Sequence, residues 1–130
     1  MLEYKYSRKE CSVCAVELIV AADGNCSKCG ARARVRHIDA LLQNYYNTGA
    51  IVNLENLLAF SAASHEKLVL KKYFPTIQSA SLYGEYGANH ISGVDVRDLR
   101  NFTDTSFDAV YASLLFDYFE EHQQAIEEIY

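Results

Sequence analysis

The sequence predicts an α/β fold, a mostly parallel sheet with helices on its faces, behind a small N-terminal metal-binding module. Three observations predict it. Strand-length apolar runs alternate with helical patterns from residue 32 onward, the order expected of parallel strands joined by crossover helices. The run Asn56–Phe60 (NLLAF) is almost unbroken in its apolar character, as suits a strand buried on both faces. Four cysteines stand in two CxxC pairs within the first thirty residues, ahead of any core-forming pattern.

Taken in order, residues 1–10 read as an irregular lead-in and 11–30 as short hairpins and turns. In residues 32–47, Val35, Ile38, Leu41, Leu42, Tyr45 and Tyr46 recur at three- and four-residue spacing, which predicts one apolar helix face, with Gly49 as the stop. After the Asn56–Phe60 strand, Ser61 or Ser64 is expected to cap a helix reaching about Phe74, where Pro75 ends it. Thr76–Leu82 reads as a second strand and Tyr83–Ser92 as a loop. Gly93–Val96 reads as a short third strand, 97–106 as a polar connection, and Phe107–Leu114 as the clearest later strand. Glu120–Tyr130 reads as the last helix, with Glu120 and Glu121 in its first turn, where the helix dipole favours negative charge. The chain is divided accordingly into a module at 1–31 and an α/β domain at 32–130.

The cysteine pattern is Cys11-Ser-Val-Cys14, eleven residues, then Cys26-Ser-Lys-Cys29. Each CxxC turn sets two thiolates on one side of an ion, and two turns complete the tetrahedral four-sulfur shell that Zn²⁺ accepts. Gly24 permits a tight return, and Gly30 relieves crowding beyond the second pair. A structural zinc knuckle or ribbon is the leading reading; an iron centre, a disulfide or redox chemistry are the alternatives. Four sulfurs leave no open position for water, which argues against catalysis at the ion.

Composition bounds the rest. Of 130 residues, half are apolar and 22% are charged, a globular balance with a net charge of −5. Residues 1–50 hold seven Lys/Arg against five Asp/Glu, and the remainder five against twelve, so a basic head precedes an acidic body that repels phosphate backbones. Lys28, Arg32, Arg34 and Arg36 form the basic tract through which nucleic acid is a candidate partner. No run approaches the ~18 apolar residues of a membrane span, and the polar N-terminus has no apolar signal core. Together with thiols better kept reduced for metal, this predicts a cytoplasmic protein without a membrane partner. His37, His65, His90 and His122 do not fall into a triad order with any nucleophile.

The segment Asp95-Val-Arg-Asp98-Leu99, then Phe102, Thr103-Asp104-Thr105 and Ser106-Phe107-Asp108-Ala109-Val110, resembles class I S-adenosylmethionine-dependent methyltransferases. More narrowly, it resembles members in which a four-cysteine knob runs into an Arg-rich helix, here Cys26 to His37. The resemblance implies a partial, Rossmann-like sheet, appearing truncated because the pattern stops inside a helix. It further implies S-adenosylmethionine as a possible cofactor and Asp98 as acceptor of the adenine amino group. The first ligand loop would lie at Ser61, Ala62, Ala63 and Ser64, which contains no GxGxG. Ser81 stands where relatives carry a ribose-binding carboxylate, with Glu85 the nearest acid. Relatives' polar groups after the later strand are replaced by the apolar cluster Leu114, Leu115, Phe116, Tyr118 and Phe119. Three functions follow as expectations. The first is a non-catalytic methyltransferase-like subunit that assembles with itself or another protein through a sheet edge and that cluster. The second is a methyltransferase completed by a partner chain. The third is a nucleic-acid-binding adaptor.

Overall fold

The computed structural model describes residues 10–84, 89–113 and 115–130. The elements are α1 (Ala33–Asn47), β1 (Asn56–Phe60), α2 (Ser64–Leu70), β2 (Thr76–Ser81), β3 (His90–Ser92), β4 (Ala109–Ala112), a 3₁₀ turn at Phe116–Tyr118 and α3 (His122–Ile129). The four strands form one sheet in the order β3-β2-β1-β4, parallel at every pairing. Leu57 lies beside Ile77 of β2 and beside Ala109 of β4, so β1 is central.

Because side chains alternate along a strand, β1 feeds two cores. Leu57 and Ala59 pack with Ala62, Leu70 and Phe74, and with Leu42 of α1. Leu58 and Phe60 pack with Ala80, Val94, Val96 and Ala125 of α3. Helices thus cover both faces, as the unbroken apolar run predicted. Asp108 fixes the entry to β4. Its carboxylate accepts from the backbone N–H of Glu55 at 2.9 Å and of Asn56 at 2.8 Å, while its own N–H donates to the Asn56 carbonyl at 2.8 Å.

Several boundaries differ from the sequence expectations. The third strand is His90–Ser92, not Gly93–Val96. Gly93 takes a φ of +77°, a left-handed turn; the Val94 N–H still donates to the Ser81 carbonyl at 3.0 Å, but Val94 and Val96 then pack inward instead of extending the strand. The later strand is only Ala109–Ala112; Asp108 is spent on the β1 entry, and Leu114 lies outside the described residues. α2 ends at Leu70, because the chain tightens into a turn before Pro75. Its N-cap position is Ala63, so neither Ser61 nor Ser64 caps it. α3 begins at His122, since Glu121 is held outside the helix by Arg97 at 3.1 Å. α1 buries Val35 and Asp39 and packs partly buried Leu42 against the core, leaving Leu41 and Tyr45 exposed. The predicted face is therefore rotated to admit Asp39, whose Oδ1 accepts the Tyr73 hydroxyl at 2.6 Å.

Candidate metal centre and the carboxyl edge of the sheet

The two CxxC turns fold alike. Cys11 donates its N–H to the Val16 carbonyl and accepts, through its own carbonyl, from Ala15. Cys26 donates to Ala31 and accepts from Gly30. The residue after each pair is left-handed, Ala15 at φ +57° and Gly30 at φ +76°. Only the second is a glycine, so the first turn carries backbone strain of about 1–2 kcal/mol. The turns bring all four sulfurs within 4.8 Å of one another. Cys11 and Cys29 Sγ are 3.8 Å apart and Cys14 and Cys26 Sγ 3.9 Å. Zn–S bonds of about 2.3 Å in a tetrahedron put sulfurs about 3.8 Å apart, whereas a disulfide needs about 2.05 Å. The residues fit a structural Zn²⁺. Their protonation leans the same way at one ligand: the backbone N–H groups of Cys29 and Lys28 lower the Cys26 thiol to about 6. Burial and the neighbouring thiols raise Cys29 to about 12, a proton that an ion would displace.

The knob is fastened to the α/β body. The Arg36 guanidinium donates to the carbonyls of Gly24 at 2.9 Å and Ala31 at 3.1 Å. Lys72 Nζ donates to the Ser12 carbonyl at 2.5 Å and lies 3.6 Å from Asp39 Oδ2. Of the basic tract, Arg34 is also committed, to buried Glu66 at 2.7 Å, which leaves Lys28 and Arg32 exposed.

Parallel strands place the segments after β1, β2 and β3 at one edge, where open α/β sheets bind ligands. Ser61 there takes φ +50° and donates its N–H to the Ala80 carbonyl at 2.9 Å. Ala62 is buried and packs into the core, while Ala63 is exposed. Ser81, at the end of β2, is 2% exposed. Its hydroxyl donates to the Tyr83 carbonyl at 2.8 Å and meets His90 Nε2 at 2.7 Å. His90 Nδ1 meets Ser79 Oγ at 2.8 Å. The imidazole therefore bridges two serines, a link invisible in the sequence because it depends on Ser79 and His90 being register partners. Glu85 lies outside the described residues.

Asp98 lies on the segment after β3, and its N–H donates to the Asp95 carbonyl. Its carboxylate accepts from Arg100 Nε at 2.7 Å, and that guanidinium holds it below the usual carboxylate range. Asp95 is likewise held down by Arg97, which also contacts Glu121 and lies 5.2 Å above the Phe119 ring. Of the residues the resemblance would assign to the methyl donor, Ser81 and Asp98 thus already have side-chain partners within the chain. The apolar cluster is also largely spent: Leu115, Phe116 and Phe119 pack against the Leu58–Phe60 core, and Tyr118 is the exposed member at 84%. A cavity of about 590 Å³ lies at the opposite, amino edge, between Tyr46, Val52–Glu55, Lys71–Tyr73 and Pro75.

No helix among the described residues is long and apolar enough to cross a membrane. Comparison with known families matches residues 77–130 to a model described as a methyltransferase domain. No curated protein and no solved structure matches the chain. The matched segment begins in β2, so β1 and the Ser61–Ser64 loop precede it. The chain carries a methyltransferase-like domain with a partial Rossmann-like sheet, and an N-terminal four-cysteine cluster consistent with structural zinc.

Proposed function

With a methyltransferase-like domain and a zinc-type knob as premises, we propose that this chain is a non-catalytic, zinc-bearing subunit that acts by protein assembly. The observation that carries the reading is the internal engagement of the ligand edge. Ser81 is tied to Tyr83 and His90, and Asp98 to Arg100. A donor would compete with those contacts, and the loop after β1, Ser61–Ser64, has no glycine to admit its carboxypropyl end. Assembly is supported by β4, whose outer edge has no partner strand among the described residues. An edge of this kind is a ready template for another strand. Exposed Tyr118 adds apolar surface.

Two measurements on the intact chain test the reading. Titration calorimetry with S-adenosylmethionine is expected to show no saturation at millimolar donor. Light scattering is expected to show a mass above that of one chain at micromolar concentration. A clean monomer, or a saturable donor isotherm, overturns the proposal.

The convergence of three loops on one sheet edge favours one alternative, a methyltransferase completed across an interface by a partner chain. In that case the donor isotherm appears only in the assembled particle. A nucleic-acid adaptor has less support, since Arg34 and Arg36 are held by Glu66 and by backbone carbonyls. A salt-dependent gel shift with RNA or DNA would restore it. The cytoplasm, where thiols stay reduced, suits this proposal.

A further inference from the structure

We infer that Lys72, in the turn that follows α2, is an outer-shell cation of the four-sulfur centre and couples metal retention to the α/β body. The inference rests on the zinc reading of the cysteine cluster.

A single ammonium joins three segments. Lys72 Nζ donates to the carbonyl of Ser12, inside the Cys11–Cys14 turn. The same nitrogen faces Asp39 of α1, which is 1% exposed. Asp39 is itself held by the Tyr73 hydroxyl at 2.6 Å. The ammonium is therefore anchored on the body side by a buried carboxylate, and on the knob side it meets the loop that carries two sulfurs. Arg36 does the corresponding work on the second pair. It grips Gly24 before Cys26 and Ala31 after Cys29. Each CxxC lobe is thus clasped by one cation from the body.

The electrostatics give this arrangement a direction. A divalent ion with four thiolates carries a net charge of −2 in a partly desolvated knob. A fixed cation beside each lobe offsets that charge and opposes protonation and loss of the sulfurs. It also holds the loop in its metal-ready shape. Outer-shell partners of this kind typically change metal affinity ten- to a hundredfold. The coupling is reciprocal: if Lys72 helps the knob keep its ion, the loaded knob helps hold the end of α2.

The test uses the full chain loaded with zinc. Zinc transfer to a chromophoric chelator is followed for wild type, K72M and K71M. Lys71 is the exposed neighbour, so K71M removes the same charge without touching the clasp. K72M is expected to release zinc about tenfold faster, and K71M within about twofold of wild type. Equal rates for wild type and K72M overturn the inference, as does an equal acceleration in K71M, which would reduce the effect to net charge. A wild-type chain that retains no zinc fails the metal reading itself, a separate result seen before any variant is made. A measurement without substitution guards against misfolding of K72M. Amide exchange across residues 64–74 is expected to accelerate when wild-type protein is stripped of zinc. Unchanged protection there overturns the coupling.

Discussion

At the residue scale, the most exposed commitments are the buried charges. Glu66 is enclosed between Arg34 and the Tyr111 hydroxyl, the latter at 2.5 Å. Burial, and then the Glu66 carboxylate, hold the Tyr111 phenol above its ordinary range. Removing one partner of a buried pair strands the other. R34M is expected to cost about 2 kcal/mol in urea denaturation, less than the ~3–5 kcal/mol of a fully buried pair. The discount follows because the Arg34 side chain is 37% exposed and already partly screened. A change under about 0.5 kcal/mol would show that Tyr111 alone satisfies the carboxylate. Gly30 offers a cleaner case. Nothing lies within 4 Å of a Cβ built there, so G30A acts through its left-handed backbone alone. It is expected to weaken zinc retention by about 1–2 kcal/mol, read by chelator competition, while A15G strengthens it by a smaller amount.

At the element scale, β1 and β4 are held in register by Asp108 as well as by their ladder. The N–H groups of Asn56 and Glu55 keep its carboxyl below the usual range. Its folded-state pKa is thus lower than the unfolded value of about 3.9. Its stabilisation is complete above that value and is lost as acid protonates the folded carboxylate. Unfolding midpoints are expected to stay level down to about pH 4 and fall below it, and D108N to lower the plateau while flattening the acid limb. An unaltered acid limb in D108N would assign acid sensitivity to other carboxylates, such as Asp95 beside Arg97. The sequence made β1 and β2 legible, because their apolar runs and Pro75 are local signals. It misplaced β3 and shortened nothing at β4, because those limits depend on partners distant in the chain. Gly93 turns out of the sheet, and Asp108 reaches back to residues 55 and 56. The α1 face was rotated for the same reason: the buried Asp39 is polar by composition and apolar by location, since Tyr73 and Lys72 neutralise its cost.

At the scale of the whole molecule, the knob and the body are chemically distinct and mechanically joined. The four-sulfur cluster was readable from spacing alone, since CxxC geometry is encoded within each turn. What holds the knob in place was not readable. By sequence Arg36 belongs to a basic tract with nucleic acid as its candidate partner, and Lys72 carries no motif. At the ligand edge, the sequence locates the loops but not their contacts, His90 beside Ser81 and Arg100 beside Asp98. One zinc per chain is expected by elemental analysis, with all four thiols slow to react with a disulfide reagent until a chelator is added. Rapid reaction of the zinc-loaded thiols would contradict a closed four-sulfur shell.

The central strand has one more implication. Leu57 and Leu58 are adjacent in the chain yet belong to opposite apolar layers, so five residues serve as the common wall of both. F60A, which empties one side only, is expected to lower stability by about 3–5 kcal/mol. The damage should nonetheless be felt on the side it never touched. Tyr73, beyond the other layer, should lose its spectroscopic signature in the same transition as Phe116 and Phe119, because neither layer can melt and leave the wall standing for its neighbour.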